Sequence, residues 1–118
     1  MSNQTNQPIP NITVLELAAR LESGTADLQL VDVREPAEIA AASIEGFENF
    51  PLSEYAEWSE LIHSRLDPEA ETLVLCHHGM RSAHMCQWLR DRGFTKVKNI
   101  SGGIDAYSQL VDPSVPRY

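Results

Sequence analysis

The chain has 118 residues, with 17 acidic and nine basic side chains and a formal net charge of −8. That length fits one domain able to bury a core unaided, and two cysteines cannot build a disulfide framework. The acidic balance, with Lys and Arg scattered, argues against nucleic acid or membrane as a partner, and no apolar run approaches the ~20 residues that span a bilayer.

The start, MSNQTNQPIP, has neither a basic segment nor an apolar stretch and does not read as a secretory signal. We therefore expect a soluble, cytoplasmic protein with reduced thiols, made of a disordered polar leader over residues 1–10 and a single domain over 11–118. Thr13 and Glu16 stand at capping-box spacing, and Val14, Leu17, Ala18 and Leu21 repeat at helical intervals. The spacing predicts a helix to about Glu22, closed by Gly24. LQLVDV, residues 28–33, reads as a buried strand, and residues 35–43 as a short helix with Pro36 in its first turn.

Residues 46–52 form an irregular connection with room for one short strand. Residues 53–66 then predict one amphipathic helix, with Leu52, Tyr55, Trp58, Leu61 and Ile62 on its apolar face, Ser53 as N-cap and Pro68 past its end. A second clear strand covers residues 72–75. A helix over 82–92 ends at Gly93, a strand follows over 96–100, and a last helix over 104–110 stands behind the Gly102-Gly103 turn. Strands alternating with helices through short connections imply an α/β layer fold with a mainly parallel sheet. Such folds bind ligands beyond the carboxyl ends of their strands, where Cys76 lies.

The stretch TLVLCHHGMRSA ends a strand in a cysteine and begins a helix six residues later. A reactive cysteine works as the thiolate, which a helix N-terminus or a nearby cation stabilises. A short loop here can curl its backbone N–H groups toward the sulfur as an anion-binding nest. Gly79 supplies the permissive backbone, Arg81 brings a fixed positive charge, and Ser82 is placed to satisfy orphan amides at the helix start. Position alone leaves a buried structural cysteine about as good a reading as a reactive one. The polar cluster that follows Cys76 tips the balance toward function.

Three segments, LVDVREPAEIAAASIEGFENFPL, TLVLCHHGMRSA and GFTKVKNISGGIDAY, resemble in order and spacing the landmarks of a single rhodanese domain. The resemblance covers about residues 12–110. It implies a five-stranded, mainly parallel sheet flanked by helices on both faces, and a cysteine-centred loop that carries sulfane sulfur as a persulfide. By the resemblance, Cys76 is the catalytic residue and His77, His78, Gly79, Met80 and Arg81 are the substrate-binding loop. Asp32 and Arg34 match the family's DVR motif in a supporting role, beside Ser82. The implied activity is sulfur transfer without a cofactor, from thiosulfate or a persulfide to cyanide, a small thiol or a protein acceptor. The alternatives are a non-catalytic interaction or redox-sensing module on the same fold, and behind it a phosphatase or arsenate reductase. Related phosphatase sites place five residues between cysteine and arginine, whereas here four separate Cys76 from Arg81. A shorter loop suits one sulfur better than a tetrahedral phosphate.

Two departures from the family pattern stand out. Many members carry a basic residue directly after the cysteine, where this chain has His77 and His78. An imidazole of ordinary pKa, about 6.5, carries little positive charge at pH 7, which favours a persulfide or protein donor over thiosulfate. The family's frequent Gly-His-Ile is here Ala42-Ser43-Ile44. A metal set drawn from Cys76, His78 and His84 matches no familiar zinc spacing, so no metal is expected. Cys86 falls more than one turn along the helix, on the sheet-facing stripe with Ala83 and Leu89, and reads as core rather than as a resolving thiol. Trp58 and Trp88 read as packing residues, and His63 and His84 as helix-surface residues, with His84 nearer the rim of a pocket.

Overall fold

The computed structural model describes residues 7–118. Five strands, β1 (Asn11–Ile12), β2 (Leu28–Asp32), β3 (Glu48–Asn49), β4 (Glu71–Leu75) and β5 (Val97–Ile100), form one sheet in the order β1-β5-β4-β2-β3. Every pairing is parallel, a stricter result than the mainly parallel sheet expected. The helices are α1 (Val14–Ser23), α2 (Pro36–Ala41), α3 (Tyr55–Trp58), α4 (Ile62–Arg65), α5 (Met80–Asp91) and α6 (Gly103–Leu110).

Strand alternation sorts the apolar side chains into two cores. Val31, Val74 and Val97 point to one side of the sheet and pack with Trp58, Ile62, Met85, Cys86 and Leu89 from α3, α4 and α5. Leu30, Leu73, Leu75 and Ile100 point to the other side and meet Val14 and Leu17 of α1 and Ile104 and Tyr107 of α6. The central strands are thus covered on both faces, which explains why residues 28–33 read as a continuous apolar run rather than an alternating one.

Local signals near the helix ends agree with the structure. The Thr13 hydroxyl accepts from the Glu16 N–H at 3.1 Å, and the Glu16 carboxylate accepts from the Thr13 N–H at 2.9 Å. Gly24 caps α1 at φ 110°. At α2 the cap is Glu35, whose N–H donates to the Glu38 carboxylate, and the helix ends at Ala41, short of the predicted residue 43.

The single amphipathic helix predicted over 53–66 is instead broken. A 3₁₀ turn at Leu52–Glu54 precedes α3, and a second at Ser59–Leu61 separates α3 from α4. Tighter 3₁₀ winding rephases the segment, so Trp58, Ile62 and Leu66 reach the core while Leu61, expected on the apolar face, is 53% exposed. Trp58 anchors the break: its indole N–H donates to the Pro51 carbonyl at 2.8 Å, and its ring meets Phe50 edge to face. Ser53 does not cap a helix; its N–H and hydroxyl both bind the Glu35 carboxylate.

Strand β1 has no counterpart among the predicted elements. The predicted leader covers residues 1–6, which lie outside the described residues, and residues 7–10, which pack on the domain. Ile9 rests against the core, the Pro10 carbonyl accepts from the Asn99 N–H at 2.9 Å, and β1 pairs with β5. Two residues of strand give too short a period to read from sequence; the open edge of β5 decides their conformation.

Candidate active-site loop

Cys76 follows β4 directly, and its side chain continues the Val74 side of the sheet, under the start of α5. Gly79 makes the return possible. At φ 106° it holds a left-handed conformation that L side chains rarely adopt, and its N–H turns back to donate to Cys76 Sγ at 3.0 Å. Helix α5 starts at Met80, two residues before the predicted position, and aims the positive end of a 12-residue helix at the loop. The expected nest of several amides is narrower than that: within the loop, the Gly79 N–H is the amide at hydrogen-bond distance from the sulfur. The second partner is the Ser82 hydroxyl, 3.2 Å from Sγ. Ser82 does not satisfy orphan amides but is fully buried, donating to Asn99 Oδ1.

Helix α6 holds the loop from the other side. The Ile104 N–H donates to the Cys76 carbonyl at 2.9 Å, and the Asp105 N–H to the His77 carbonyl at 3.1 Å. These bonds require a close approach at Gly103, where an added Cβ would stand 2.5 Å from the Cys76 oxygen and 2.3 Å from the His77 oxygen. The Gly102-Gly103 pair thus does more than turn the chain: its second glycine seats the Cys76 loop.

Arg81 forms a two-pronged pair with Glu38 of α2, at 2.7 and 2.9 Å. The Arg81 hydrogen bonds hold the Glu38 carboxyl at a pKa of about 2, against a burial cost that acts in the opposite direction. Glu38 also accepts from the Tyr118 hydroxyl, which in turn accepts from Arg34. Arg34 is fully buried, clasps both oxygens of Asp32, and donates to the Glu38 and Ala42 carbonyls. Burial opposes its charge, and the hydrogen bonds with Asp32 and Tyr118 outweigh that, raising its pKa. Asp32 and Arg34 therefore reach the loop indirectly, through Tyr118, Glu38 and Arg81. Glu38 and Tyr118 carry no signal in the sequence, because Arg81 lies 43 residues from Glu38 and Glu38 lies 80 residues from Tyr118.

The histidines line one side of the loop. The His77 ring is stacked between Tyr118, at 4.0 Å, and His78, at 3.9 Å. Burial, then the neighbouring His78, lowers the His77 pKa, so its imidazole is neutral at pH 7. Met80 is 71% exposed at the loop's outer edge. Ligand atoms of His77, His78 and Asp105 lie within 4.8 Å of one another, but the Asp105 carboxylate is already engaged by Arg117 and Gln109. His84 stands on the rim of a cleft of about 120 Å³ with Tyr55, Trp58, Trp88 and Arg81. A larger surface depression, about 600 Å³, lies around Leu28, Glu71 and Lys96 at the amino ends of the strands, opposite the loop. Cys86 is a free, buried thiol whose pKa burial pushes up to about 12, consistent with a core residue. His63 stacks on Phe94 and bonds the Arg92 carbonyl.

An all-parallel α/β sheet that ends in a cysteine under a helix N-terminus defines a class of proteins with strand-end thiol loops. Residues 13–110 match the model of the rhodanese-like domain, and the chain belongs to that family. A chloroplastic rhodanese-like/PpiC domain-containing protein of Arabidopsis thaliana is 46% identical over 95% of this chain, which corresponds to 38% of that protein's length. A sulfurtransferase of Allochromatium vinosum is 32% identical over 79% of this chain and 82% of its own. Among solved structures, a human single-domain sulfurtransferase, TSTD1, superposes with a TM-score of 0.71 at 29% identity, covering 86% of this chain and 96% of its own. The chain spans well under half of the Arabidopsis protein and of the plant adenylyltransferase–sulfurtransferases it also matches.

Proposed function

We propose that the protein is a sulfurtransferase that moves sulfane sulfur through a persulfide on Cys76. The observation that carries this reading is the Cys76 thiol at the end of β4, with the Gly79 N–H at 3.0 Å and the Ser82 hydroxyl at 3.2 Å. The Cys76 thiolate attacks the outer sulfur of the donor, a new S–S bond forms, and the donor's own S–S bond breaks with its electron pair leaving on sulfite or on a thiolate. A thiol or cyanide acceptor then attacks the outer sulfur, and Cys76 departs as thiolate. The Gly79 N–H, fixed by the loop backbone, and the Ser82 hydroxyl stand within reach of the sulfur as donors for its anionic form.

Two features bear on the donor. Glu38 neutralises Arg81, and the His77 imidazole is neutral, so the loop presents little net positive charge to a doubly charged anion. With a chain charge of −8, this favours a persulfide or a protein-bound donor over thiosulfate. Cys76 is 1% exposed, so a donor reaches it only when the structure around it opens locally.

The same burial is the observation that favours the second reading, a non-catalytic rhodanese module. Intact mass after incubation with thiosulfate and with an alkyl persulfide separates the two. The expected result is an adduct of one sulfur that is absent in Cys76→Ser; no adduct with any donor would overturn the enzyme reading. An aryl phosphate serves as the control for phosphatase chemistry. Turnover abolished by Cys76→Ser would refute the argument from the four-residue loop.

A further inference from the structure

Asn99, the third residue of β5, takes no part in the chemistry above, yet every polar atom of its side chain is engaged at the loop. Its Nδ2 donates to the Gly79 carbonyl and to Asn11 Oδ1, each at 3.1 Å. A carbonyl can only accept, so Gly79 determines which way the amide points and leaves Oδ1 facing Ser82. Ser82 Oγ donates to that oxygen at 2.5 Å. Asn99 is 6% exposed and Ser82 is fully buried, which leaves water little access to substitute for a lost partner.

A proton count turns this arrangement into a switch. Ser82 has one hydroxyl proton and two neighbours for it, Asn99 Oδ1 and Cys76 Sγ. While Cys76 is a thiol, its S–H donates to Ser82 Oγ, and the Ser82 proton rests on Asn99. Once the thiol proton has left, sulfur needs a donor, and the Ser82 hydroxyl rotates toward it. Ser82 keeps its own proton throughout; only the direction of the O–H bond changes. That rotation leaves Asn99 Oδ1 buried without a donor, a cost that sets the thiolate back relative to the thiol. In the persulfide, the negative charge moves to the outer sulfur, Sγ no longer needs the hydroxyl, and the proton returns to Asn99.

We propose that Asn99 is a positioning residue for sulfur transfer: its side-chain oxygen holds the Ser82 proton in the thiol and persulfide forms and yields it to Cys76 in the thiolate form. This rests on the sulfurtransferase reading for its purpose, although the hydrogen-bond switch is a property of the folded loop alone. The ionisable groups around the loop are Arg81 and Cys86 on α5, His77 and His78 in the loop itself, Glu38 on α2, Asp105 on α6 and Tyr118 against His77, with the Asp32–Arg34 pair at the end of β2. A change at Asn99 leaves all of them in place.

The test is the pH titration of thiolate ultraviolet absorbance in the full chain, taken as the difference from Cys76→Ser. Asn99→Leu removes the competing acceptor, so the midpoint is expected to fall by about 0.5–1 pH unit, the difference between a hydrogen bond to a neutral and to an ionised partner. Ser82→Ala removes the donor and is expected to raise the midpoint. In the Ser82→Ala background, Asn99→Leu should no longer lower it, because its effect runs through the hydroxyl. Asn99→Asp, nearly isosteric, grips the Ser82 proton harder and should raise the midpoint; its charge also acts on the sulfur through space, so the part of the rise that disappears in the Ser82→Ala background keeps the test decisive if Asn99→Leu does not fold. A midpoint unmoved or raised by Asn99→Leu, a fall that persists without Ser82, or a fall with Asn99→Asp would each overturn the proposal. The sulfur adduct by intact mass is scored separately. A missing adduct in the unmodified protein refutes the sulfurtransferase reading, whereas a normal adduct with a wrong-signed titration refutes the role of Asn99 alone.

Discussion

Replacing Gly103 by alanine probes how tightly α6 seats the Cys76 loop. The added Cβ would stand 2.3 Å from the His77 oxygen, where real Cβ contacts essentially never fall below 3.0 Å, so the carbonyl has to retreat by at least about 0.7 Å. Both partners are backbone, and no side chain can swing away to relieve the clash. The displacement strains two hydrogen bonds, Ile104 N–H to Cys76 and Asp105 N–H to His77, each worth about 1 kcal/mol. The φ of 62° adds roughly 1 kcal/mol for a residue with a Cβ, giving about 3 kcal/mol of expected destabilisation. Because the moved atoms belong to Cys76 and its neighbour, sulfur transfer should fall about 100-fold, the usual consequence of a misplacement near 1 Å. Urea unfolding and single-turnover transfer from a persulfide donor measure the two effects. Gly24→Ala is the control: it also has a positive φ, but its Cβ meets nothing within 4 Å, so it should cost only the backbone strain, about 1–3 kcal/mol, and leave transfer unchanged. The reasoning fails if Gly103→Ala leaves stability unchanged, or if it destabilises the fold while transfer proceeds as fast as in Gly24→Ala.

Further outcomes follow from the ion pairs and the second cysteine. Glu38 has a folded pKa of about 2, below its ordinary value of 4.5, so its contribution is fully present above about pH 4.5 and is lost as the pH falls toward 2. After allowance for solvent screening this amounts to about 1 kcal/mol, so the stability gap between the unmodified protein and Glu38→Gln should narrow by that much between about pH 6 and about pH 3, whereas a pH-independent gap would contradict the assignment. Arg34→Met leaves Asp32 as a buried, uncompensated charge and should cost about 3–5 kcal/mol in denaturant unfolding, and adding Asp32→Asn should recover part of that loss. Cys86→Ala should still accept one sulfur per chain by intact mass; loss of the adduct would show that Cys86, rather than Cys76, carries it.

Elements whose signals are local are legible in the sequence. The Thr13–Glu16 capping box, the apolar runs of β2 and β4, and the glycines at 24, 79 and 93 all declare themselves within a few residues, because caps, periodicity and left-handed turns depend on near neighbours. The ordered motifs around Asp32, Cys76 and Gly102-Gly103 carry the family resemblance, and the family match over residues 13–110 agrees with it. The helix predicted over 53–66 misleads because its apolar spacing fits both a straight helix and a segment rewound by 3₁₀ turns. Trp58, bonded to Pro51 and packed edge to face with Phe50, decides between them, and Phe50 is itself tied to the sheet by its N–H bond to the Asp32 carbonyl.

The site divides along the same line. Sequence alone determined that a cysteine, a glycine and an arginine follow a strand end, with four residues between the cysteine and the arginine, since that count is a property of the chain. Tertiary structure decided which groups touch the sulfur, the Gly79 amide and the Ser82 hydroxyl, and paired Arg81 with Glu38. It also brought Asn99, Gly103 and Tyr118 to the loop from β5, α6 and the last residue of the chain. Hydrogen bonds and close contacts act over about 3 Å regardless of sequence distance, so these partners leave no periodic trace by which a linear reading could find them.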